Sequence, residues 1–164
     1  NLLLDLRLNI LDKYVKKFVI TESTYLHSGK EKKLNFDIKN FKKFKDKITY
    51  IVVDENPKNI IKFNKNDSEE KKGEKSILNG MARDYLQRER LAKGLINASE
   101  DDVILISDLD EIPNLTNVNF PSINNKIIIF EQKMFYYKLN LLYKDSLWHG
   151  TKACKKKNLI SPQW

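Results

Sequence analysis

The order of its elements predicts that the chain is an α/β domain with a mostly parallel central sheet and helices on both faces. Stretches rich in β-formers at 17–22 and 48–53 are each followed by a helical pattern. A continuous apolar run comes next at 103–106, as expected for a central strand that is covered on both faces. Sheets built by such alternation are largely parallel, and their ligands bind beyond the carboxyl ends of the strands.

The first half of the chain is predicted to form two helices and two strands. Leucine recurs through residues 2–12, which favours a helix. Ile38, Phe41 and Phe44 are three residues apart, and this spacing predicts a short helix at about 37–44. Between and after these helices, β-forming side chains predict the strands at 17–22 and 48–53.

The second half begins with a polar stretch at 58–73, which we predict to be a mobile loop. Apolar residues then recur every three to four positions through 74–98 and predict a long helix. The apolar strand at 103–106 follows. Beyond it we expect a strand at 127–130, an aromatic-rich segment at 134–137 and further short strands to about residue 160.

The length and composition of the chain fit one globular domain. Its 164 residues suffice for one sizeable core, and 41% of them are hydrophobic. Asn1 to Leu4 read like the interior of an element, and the chain stops abruptly at Trp164. We therefore expect a single domain over residues 1–164 that is truncated at both ends.

The charge of the chain is strongly positive, at +8 with a pI near 9.4. Its lysines form short runs that are typical of solvated faces and are not interleaved with aromatics, so we expect no nucleic-acid partner. Cys154 is the single cysteine, which favours a reducing compartment. The apolar runs are too short to span a bilayer. We expect a cytoplasmic protein whose basic surface contacts the inner face of a membrane.

An acidic segment directly after the apolar strand is the strongest candidate for chemistry. In an extended backbone, Asp108 and Asp110 would point to one side and Leu109 into the core. Two converging carboxylates repel each other unless a cation or protons lie between them, and a hard divalent cation with phosphate ligands fits. The alternative is that these acidic residues only end the strand and begin a turn.

Two further segments offer ligands for an anionic substrate. Arg88 follows Gln87 on the apolar stripe of the long helix, so it needs a partner such as the acidic segment, a diphosphate or a neighbouring carboxylate. After the first strand, Glu22 could accept hydrogen bonds from a base or ribose. In the same loop His27, Ser28 and Lys30 could meet phosphate, although a lone His is more often a surface or packing residue.

Aromatic residues near the end of the chain allow two interpretations. Trp148 and the preceding tyrosines, Tyr137 among them, could stack on the sugar rings of an acceptor. Clusters of this kind more often belong to a hydrophobic core.

These segments together resemble glycosyltransferase family 17, the family of the β-1,4-mannosyl-glycoprotein N-acetylglucosaminyltransferases. The similar stretches are Leu4 to Asn9, Val19 to Lys30, Arg83 to Leu95, Leu105 to Pro113 and, more weakly, Trp148 to Lys152. The resemblance implies a GT-A-type, Rossmann-like fold, a UDP-GlcNAc donor and a divalent ion, Mn²⁺ rather than Mg²⁺. It also implies inversion at the anomeric carbon and a glycan or glycolipid acceptor.

Carried over by position, the resemblance assigns roles to particular residues. Asp108 and Asp110 would bind the metal and the diphosphate. The donor pocket would be formed by Glu22, His27, Ser28, Arg83, Gln87, Arg88, Asp108 and Leu109. In a direct displacement, the metal and Arg88 would neutralise charge on the departing UDP while a carboxylate deprotonates the acceptor hydroxyl. Glu131, after the strand at 127–130, is a candidate for that base.

Two rival functions use the same features. Haloacid-dehalogenase-type phosphohydrolases also carry an Asp-x-Asp after a strand, although their motif normally continues to Thr or Val, where this chain has Ile112 after Glu111. The other rival is a non-catalytic polyanion-binding module or transferase remnant. Binding to RNA with a steep salt dependence and without metal-dependent nucleotide binding would favour that module.

Overall fold

The structure is a computed structural model that describes residues 2–122, 124–138 and 140–163. The chain divides into two compact units. Unit 1 consists of Asn1–Lys16 and Ala98–Ile160, and unit 2 consists of Lys17–Asn97 and Ser161–Trp164.

Helices and strands alternate through the first two thirds of the chain, and the last third is dominated by strands. In chain order they are α1 (Leu2–Leu11), β1 (Phe18–Ser23), β2 (Ile48–Val53), α2 (Glu69–Glu89), β3 (Val103–Ile106), β4 (Ile128–Phe135) and β5 (Leu142–Lys155). Short 3-10 helices lie at Ile38–Phe44, Arg90–Leu95, Phe120–Ser122 and Lys156–Asn158. The predicted strands at 48–53 and 103–106 have the predicted bounds.

The strands form two separate sheets, and only one of them is parallel. In unit 2, β1 pairs with β2 in parallel, in register from Phe18 opposite Ile48 to Ser23 opposite Val53. In unit 1, β3, β5 and β4 pair antiparallel in that order. The prediction of a Rossmann-like, GT-A-type domain with a mostly parallel central sheet is therefore wrong.

The apolar run of β3 predicts a covered strand correctly, but it does not predict whether the neighbouring strand is parallel or antiparallel. Apolar side chains report how a strand's faces are covered, but not the direction of the strand beside it. All four residues of Val103–Ile106 are only partly exposed, yet their partner is β5, with Val103 opposite Lys155 and Ile106 opposite Lys152. Long-range pairing of this kind has no local signal in β3.

Unit 2 packs a long helix and its 3-10 extension against the parallel pair. The Ser68 hydroxyl accepts a hydrogen bond from the Lys71 N–H at 3.3 Å and caps α2, so α2 begins at Glu69. The last five residues of the predicted loop at 58–73 are therefore helical. Where the 3-10 helix follows α2, the absence of a side chain at Gly94 lets the backbone lie against Val19 of β1.

Unit 1 buries one face of α1 and one end of its sheet. Leu4, Leu8 and Leu11 recur at helical spacing and are all buried. At the β3 end of the antiparallel sheet, Thr151 and Ala153 of β5 are also buried. Residues of the β4–β5 hairpin far from β3 are mostly exposed, and β4 is irregular at two places along its pairing with β5.

Among the helices of the described residues, none is both long enough and apolar enough to cross a membrane.

Candidate functional site

The acidic turn, Ser107–Pro113, follows β3 and is held by Arg7 of α1. One guanidinium nitrogen of Arg7 donates to the Asp108 carbonyl at 3.0 Å and to the Glu111 carbonyl at 2.5 Å. The other terminal nitrogen donates to the Ser107 hydroxyl. One side chain thus satisfies acceptors along the whole turn, where the β-ladder has ended.

Glu111 fixes the other side of the acidic turn. Its Oε2 accepts from the Asp108 N–H at 2.9 Å, and its Oε1 accepts from the indole N–H of Trp148 at 2.7 Å. A Cβ on Gly150 would lie 2.7 Å from Trp148 Cδ1 and 2.8 Å from Glu111 Cδ, so only glycine fits beside this contact. Both oxygens of Glu111 therefore serve the turn itself.

Asp108 and Asp110 are exposed on this turn, and Leu109 is 41% exposed as well. The prediction that alternation would place Leu109 in the core is wrong, because the extended strand ends at Ile106 and residues 109–110 form a turn. The turn that carries the two aspartates is held by the contacts of Arg7 and Glu111 with its backbone, and not by a buried Leu109.

The charges of the acidic turn favour a cation. Burial lowers the pKa of Arg7, and the nearby carboxylates of Glu111, Asp108 and Asp110 act in the opposite direction. The Arg7 guanidinium thus lies near three carboxylates of the turn.

The residues present suit a cation that binds together with its substrate. Among the described residues, no group of three or more His, Cys, Asp or Glu side chains is arranged to hold a metal. A hard divalent ion with two carboxylates would complete its shell with water and phosphate oxygens, as magnesium-like ions do at nucleotide sites. The acidic turn fits that kind of shared binding.

In unit 2, Glu22 at the end of β1 anchors the loop that follows. Its Oε1 accepts from Lys32 Nζ at 2.7 Å and from the backbone and side-chain N–H groups of Asn35 at 2.8 and 3.0 Å. Its Oε2 accepts from the Phe36 N–H and the Tyr50 hydroxyl, each at 3.0 Å. Both oxygens of this predicted donor ligand are thus engaged within the protein.

These donors set the ionisation of Glu22 and Tyr50. Burial raises the pKa of Glu22, but the hydrogen bonds from Lys32, Asn35, Phe36 and Tyr50 outweigh it and hold that pKa at about 2. Burial and the bond to Glu22 raise the pKa of Tyr50 to about 12. Glu22 is therefore a structural carboxylate that stays ionised over the physiological range.

A cleft of about 450 Å³ in unit 2 collects three of the predicted donor ligands. His27, Ser28 and Arg83 line it. The other lining residues come from the segment before α2 and from α2 itself: Ile60, Ile61, Lys62, Phe63, Ser76 and Asn79. The cleft thus combines cationic, hydroxyl and apolar side chains, a mixture suited to a small phosphorylated ligand.

Arg83 shapes one wall of this cleft. Its Nε donates to Asn56 Oδ1 at 2.9 Å, and one terminal nitrogen donates to the His27 carbonyl at 2.9 Å and to the Asn79 carbonyl at 3.2 Å. Its guanidinium lies against Gly29, which has a φ of +85° and where a Cβ would come within 2.5 Å of Arg83. Arg83 therefore shapes the loop that carries His27 and Ser28.

Asn79, one helical turn before Arg83 on α2, also lines the cleft and is almost fully buried. Its side-chain amide pairs with the backbone of Ile61 through two hydrogen bonds of 2.7 and 2.9 Å. Lys75 reinforces this segment by donating to the Lys62 carbonyl at 3.1 Å and to Asp67 at 2.6 Å. Much of the predicted loop at 58–73 is thereby fastened to α2.

Gln87 and Arg88 make contacts within unit 2. Gln87 Nε2 donates to the Thr21 carbonyl of β1 at 3.3 Å. Arg88 pairs with Asp84, one helical turn earlier, at 3.1 Å. For Arg88 the structure therefore shows an Arg–carboxylate pair on the helix.

The candidates near the end of the chain lie apart along the β4–β5 hairpin. Glu131 on β4 is exposed and lies 3.5 Å from His149 Nε2. Trp148 is 48% exposed and holds Glu111, whereas Tyr137 is 99% exposed at the far end of the hairpin. The predicted acceptor contacts thus occupy different parts of one hairpin.

Arg7 is the residue that sequence reasoning missed. It shares the helical spacing of Leu4, Leu8 and Leu11, so it falls on the buried face of α1. A charged residue on an apolar stripe needs a partner, so the signal that indicates Arg88 also indicates Arg7.

Comparison with known proteins identifies the class of enzyme. The family model of glycosyltransferase family 17 matches residues 2–159, nearly the whole chain. No curated protein and no solved structure matches the chain. The chain belongs to glycosyltransferase family 17, which confirms the resemblance found in the sequence and makes the protein a glycosyltransferase.

Proposed function

We propose that the protein is a metal-dependent glycosyltransferase that moves GlcNAc from UDP-GlcNAc to a glycan or glycolipid hydroxyl with inversion. The observation that carries the proposal is the acidic turn, where Arg7 and Glu111 hold Asp108 and Asp110 at the surface. The carboxylates of that turn repel the phosphates of a nucleotide sugar, so a cation bound between them would favour donor binding there.

Asp108 and Asp110 would hold the divalent ion, Mn²⁺ in preference to Mg²⁺. When bound, that ion neutralises charge growing on the departing UDP. The displacement forms the bond from the acceptor oxygen to the anomeric carbon as the bond from that carbon to the UDP oxygen breaks, and a carboxylate takes the hydroxyl proton. Glu131 remains a candidate for that base, since it is exposed and paired only loosely with His149.

The cleft of unit 2 supports a second part of the proposal. His27, Ser28 and Arg83 line it beside Lys62, so cationic and hydroxyl groups face a space of about 450 Å³. These groups are suited to the phosphates and ribose of a nucleotide. We assign Glu22 a supporting role instead of a direct contact with the donor, since its oxygens already accept five hydrogen bonds.

The proposal also concerns where the protein works. Cys154, the single cysteine, is buried and suits a reducing compartment such as the cytoplasm. The net charge of +8 favours contact between its basic surface and an anionic inner membrane face.

Calorimetric titration with UDP-GlcNAc, with and without Mn²⁺, tests the proposal. Wild-type protein should bind the donor at least about tenfold more tightly with the metal, and Asp108→Ala and Asp110→Ala should each lose most of that gain. Asp145→Ala removes an exposed carboxylate from β5 and is the matched control, with wild-type binding expected. Equal donor binding with and without metal would exclude the metal-dependent mechanism.

A panel of nucleotide sugars under the same conditions tests the donor. UDP-GlcNAc should raise the thermal midpoint more than UDP-glucose or GDP-mannose, because only a bound donor stabilises the folded state. A larger shift with another donor would replace GlcNAc in the proposal and leave the metal site intact.

A further inference from the structure

The far end of the β4–β5 hairpin is an exposed apolar tip surrounded by lysines. Residues 132–144 contain Lys133, Lys138 and Lys144 but no Asp or Glu. The same stretch contains Phe135, three tyrosines and three leucines. The proposed transfer reaction uses none of these side chains, apart from the acceptor contact predicted for Tyr137.

The apolar side chains of the tip are unusually exposed. Phe135 is 41% exposed, Tyr136 44%, Leu141 49% and Leu142 39%. Because these residues are contiguous across the end of the hairpin, they form a patch and are not scattered singly. An exposed apolar patch of this kind indicates a surface that binds a partner or a membrane.

The backbone presents this patch in a defined shape. The Tyr136 N–H donates to the Leu141 carbonyl at 3.0 Å, and the Leu141 N–H donates to the Lys138 carbonyl at 3.0 Å. The Tyr136 ring meets the Tyr143 ring edge to face at 5.1 Å. Backbone hydrogen bonds among Tyr136, Lys138 and Leu141 thus lie beside an aromatic pair.

Tyr137 at the apex has a left-handed backbone, with a φ of +60°. This conformation is unfavourable for a residue with a side chain, and the ring is 99% exposed. The Tyr137 ring meets the Tyr136 ring at 6.0 Å between centroids, but nearly all of its surface faces solvent. A conformation that turns an aromatic ring into solvent is explained if the ring has an external partner.

We propose that this tip inserts into the headgroup region of an anionic membrane. Tyrosine rings favour the boundary between water and lipid, and the leucines gain only from an apolar environment. The three lysines would meet anionic headgroups, and no carboxylate in residues 132–144 opposes them. Single-stranded nucleic acid also binds aromatics with lysines, but Leu141 and Leu142 offer no flat face for stacking a base. This inference does not depend on the transferase activity.

Flotation with vesicles tests the insertion. Wild-type protein should bind vesicles containing about a third phosphatidylglycerol at least about tenfold better than vesicles of pure phosphatidylcholine. The double substitution of Lys138→Gln with Lys144→Gln should remove that preference. Leu141→Ser with Leu142→Ser should lower binding to anionic vesicles by about tenfold, since insertion depends on buried apolar area.

Two matched controls remove similar side chains elsewhere. Lys126→Gln acts on an exposed lysine before the other end of β4, and Ile77→Ser on a 67% exposed isoleucine of α2. Both should bind vesicles like wild type. Equal loss in the controls, or wild-type vesicle binding by the tip variants, would overturn the proposal.

Two further measurements test how deeply Tyr137 enters the membrane and whether the tip binds a different partner. Tyr137→Trp should give blue-shifted emission with anionic vesicles and quenching by lipids brominated on their chains, after subtraction of the wild-type signal. Circular dichroism of each variant checks that the fold is intact. If the tip variants alter only self-association, seen by light scattering, or only binding to a single-stranded RNA, the tip is instead a protein or nucleic-acid contact and the membrane proposal fails.

Discussion

Arg7 shows how one partly buried charge can organise a turn that has no regular structure. Its three acceptors, Ser107, Asp108 and Glu111, belong to consecutive parts of the acidic turn. A guanidinium suits this task because its donors point in fixed directions. Lysine has the same charge, but its single nitrogen lacks that planar geometry.

Replacement of Arg7 should therefore damage both stability and donor binding. We expect Arg7→Lys to lower the free energy of unfolding by about 1–3 kcal/mol, since partly buried acceptors of the turn lose a charged donor. Mn²⁺-dependent binding of UDP-GlcNAc should weaken by about tenfold as the aspartates shift. Urea unfolding and calorimetry measure the two effects.

Arg90 provides the control for Arg7, since it pairs with Glu55 at 2.6 Å in unit 2. Arg90→Lys should leave donor binding at the acidic turn unchanged. If Arg7→Lys binds UDP-GlcNAc and Mn²⁺ as tightly as wild type, Arg7 does not position the metal ligands.

Glu22 should make stability depend on pH. Its folded pKa of about 2 lies below its ordinary value of 4.5, so ionised Glu22 stabilises the fold above about pH 4.5. That contribution, at most about 3 kcal/mol, is lost as pH falls through 4.5 toward 2. Glu22→Gln should therefore be less stable than wild type at pH 7, and the difference should shrink toward pH 2 in urea titrations.

The matched control for Glu22 is Glu31→Gln, which changes an exposed carboxylate in the loop that Glu22 anchors. It should show wild-type stability and the wild-type pH profile. A constant difference between Glu22→Gln and wild type from pH 7 to pH 2 would contradict the structural role of the Glu22 charge.

At the scale of elements, Gly73 of α2 and Gly94 of the 3-10 helix that follows α2 should respond oppositely to alanine. Gly73 lies in α2 with open space around it, whereas a Cβ on Gly94 would lie 2.6 Å from Val19 Cγ2. We expect Gly73→Ala to stabilise the protein by about 0.4–1 kcal/mol through helix propensity and unfolded-state entropy. Gly94→Ala should destabilise it by about 1–3 kcal/mol, because the 3-10 helix must move off β1.

Thermal and urea unfolding of both alanine variants measure this contrast. Because the substitution is chemically identical, the difference reports on the space between the 3-10 helix and β1. Destabilisation of similar size at both positions would mean that Gly94 does not mark a close approach.

The elements that could be predicted are those whose signal is local. β2 and β3 consist of contiguous β-forming residues, so their bounds were predicted correctly. The start of α2 was placed five residues late, because Glu69 to Gly73 look like a polar loop unless the capping role of Ser68 is noticed. The pairing of β3 with β5 joins residues about 50 positions apart and could not be deduced from either strand.

The residues of the candidate site also differ in whether a local sequence signal predicts them. Asp108 and Asp110 stand out because they follow an apolar strand, and His27 and Ser28 because they lie in the loop after the first strand. Arg83 is indicated as a donor ligand by the resemblance to the family alone. The side chains that hold these groups lie far along the chain. Trp148 holds Glu111 from 37 positions away, and the lining of the cleft by Asn79 depends on its pairing with Ile61.

At the scale of the whole molecule, the net charge of +8 attracts any polyanion. This general attraction must be distinguished from specific binding of the nucleotide-sugar donor at the acidic turn. General attraction to polyanions weakens steeply with salt, because binding releases counterions. The acidic turn works differently, since its carboxylates attract a cation and repel bare phosphate. The rival polyanion-binding function and the transferase therefore differ in their response to salt.

Salt titration should separate the two functions. The affinity for UDP-GlcNAc with Mn²⁺ should change by less than about threefold between about 50 and 200 mM salt, because the cation balances the charge of the diphosphate and little long-range attraction remains to be screened. The affinity for a single-stranded RNA should fall by more than about tenfold over the same range. Fluorescence anisotropy and calorimetry measure both in one buffer series. A parallel loss of the two affinities, with Asp108→Ala behaving like wild type, would indicate that donor binding reflects only the basic surface.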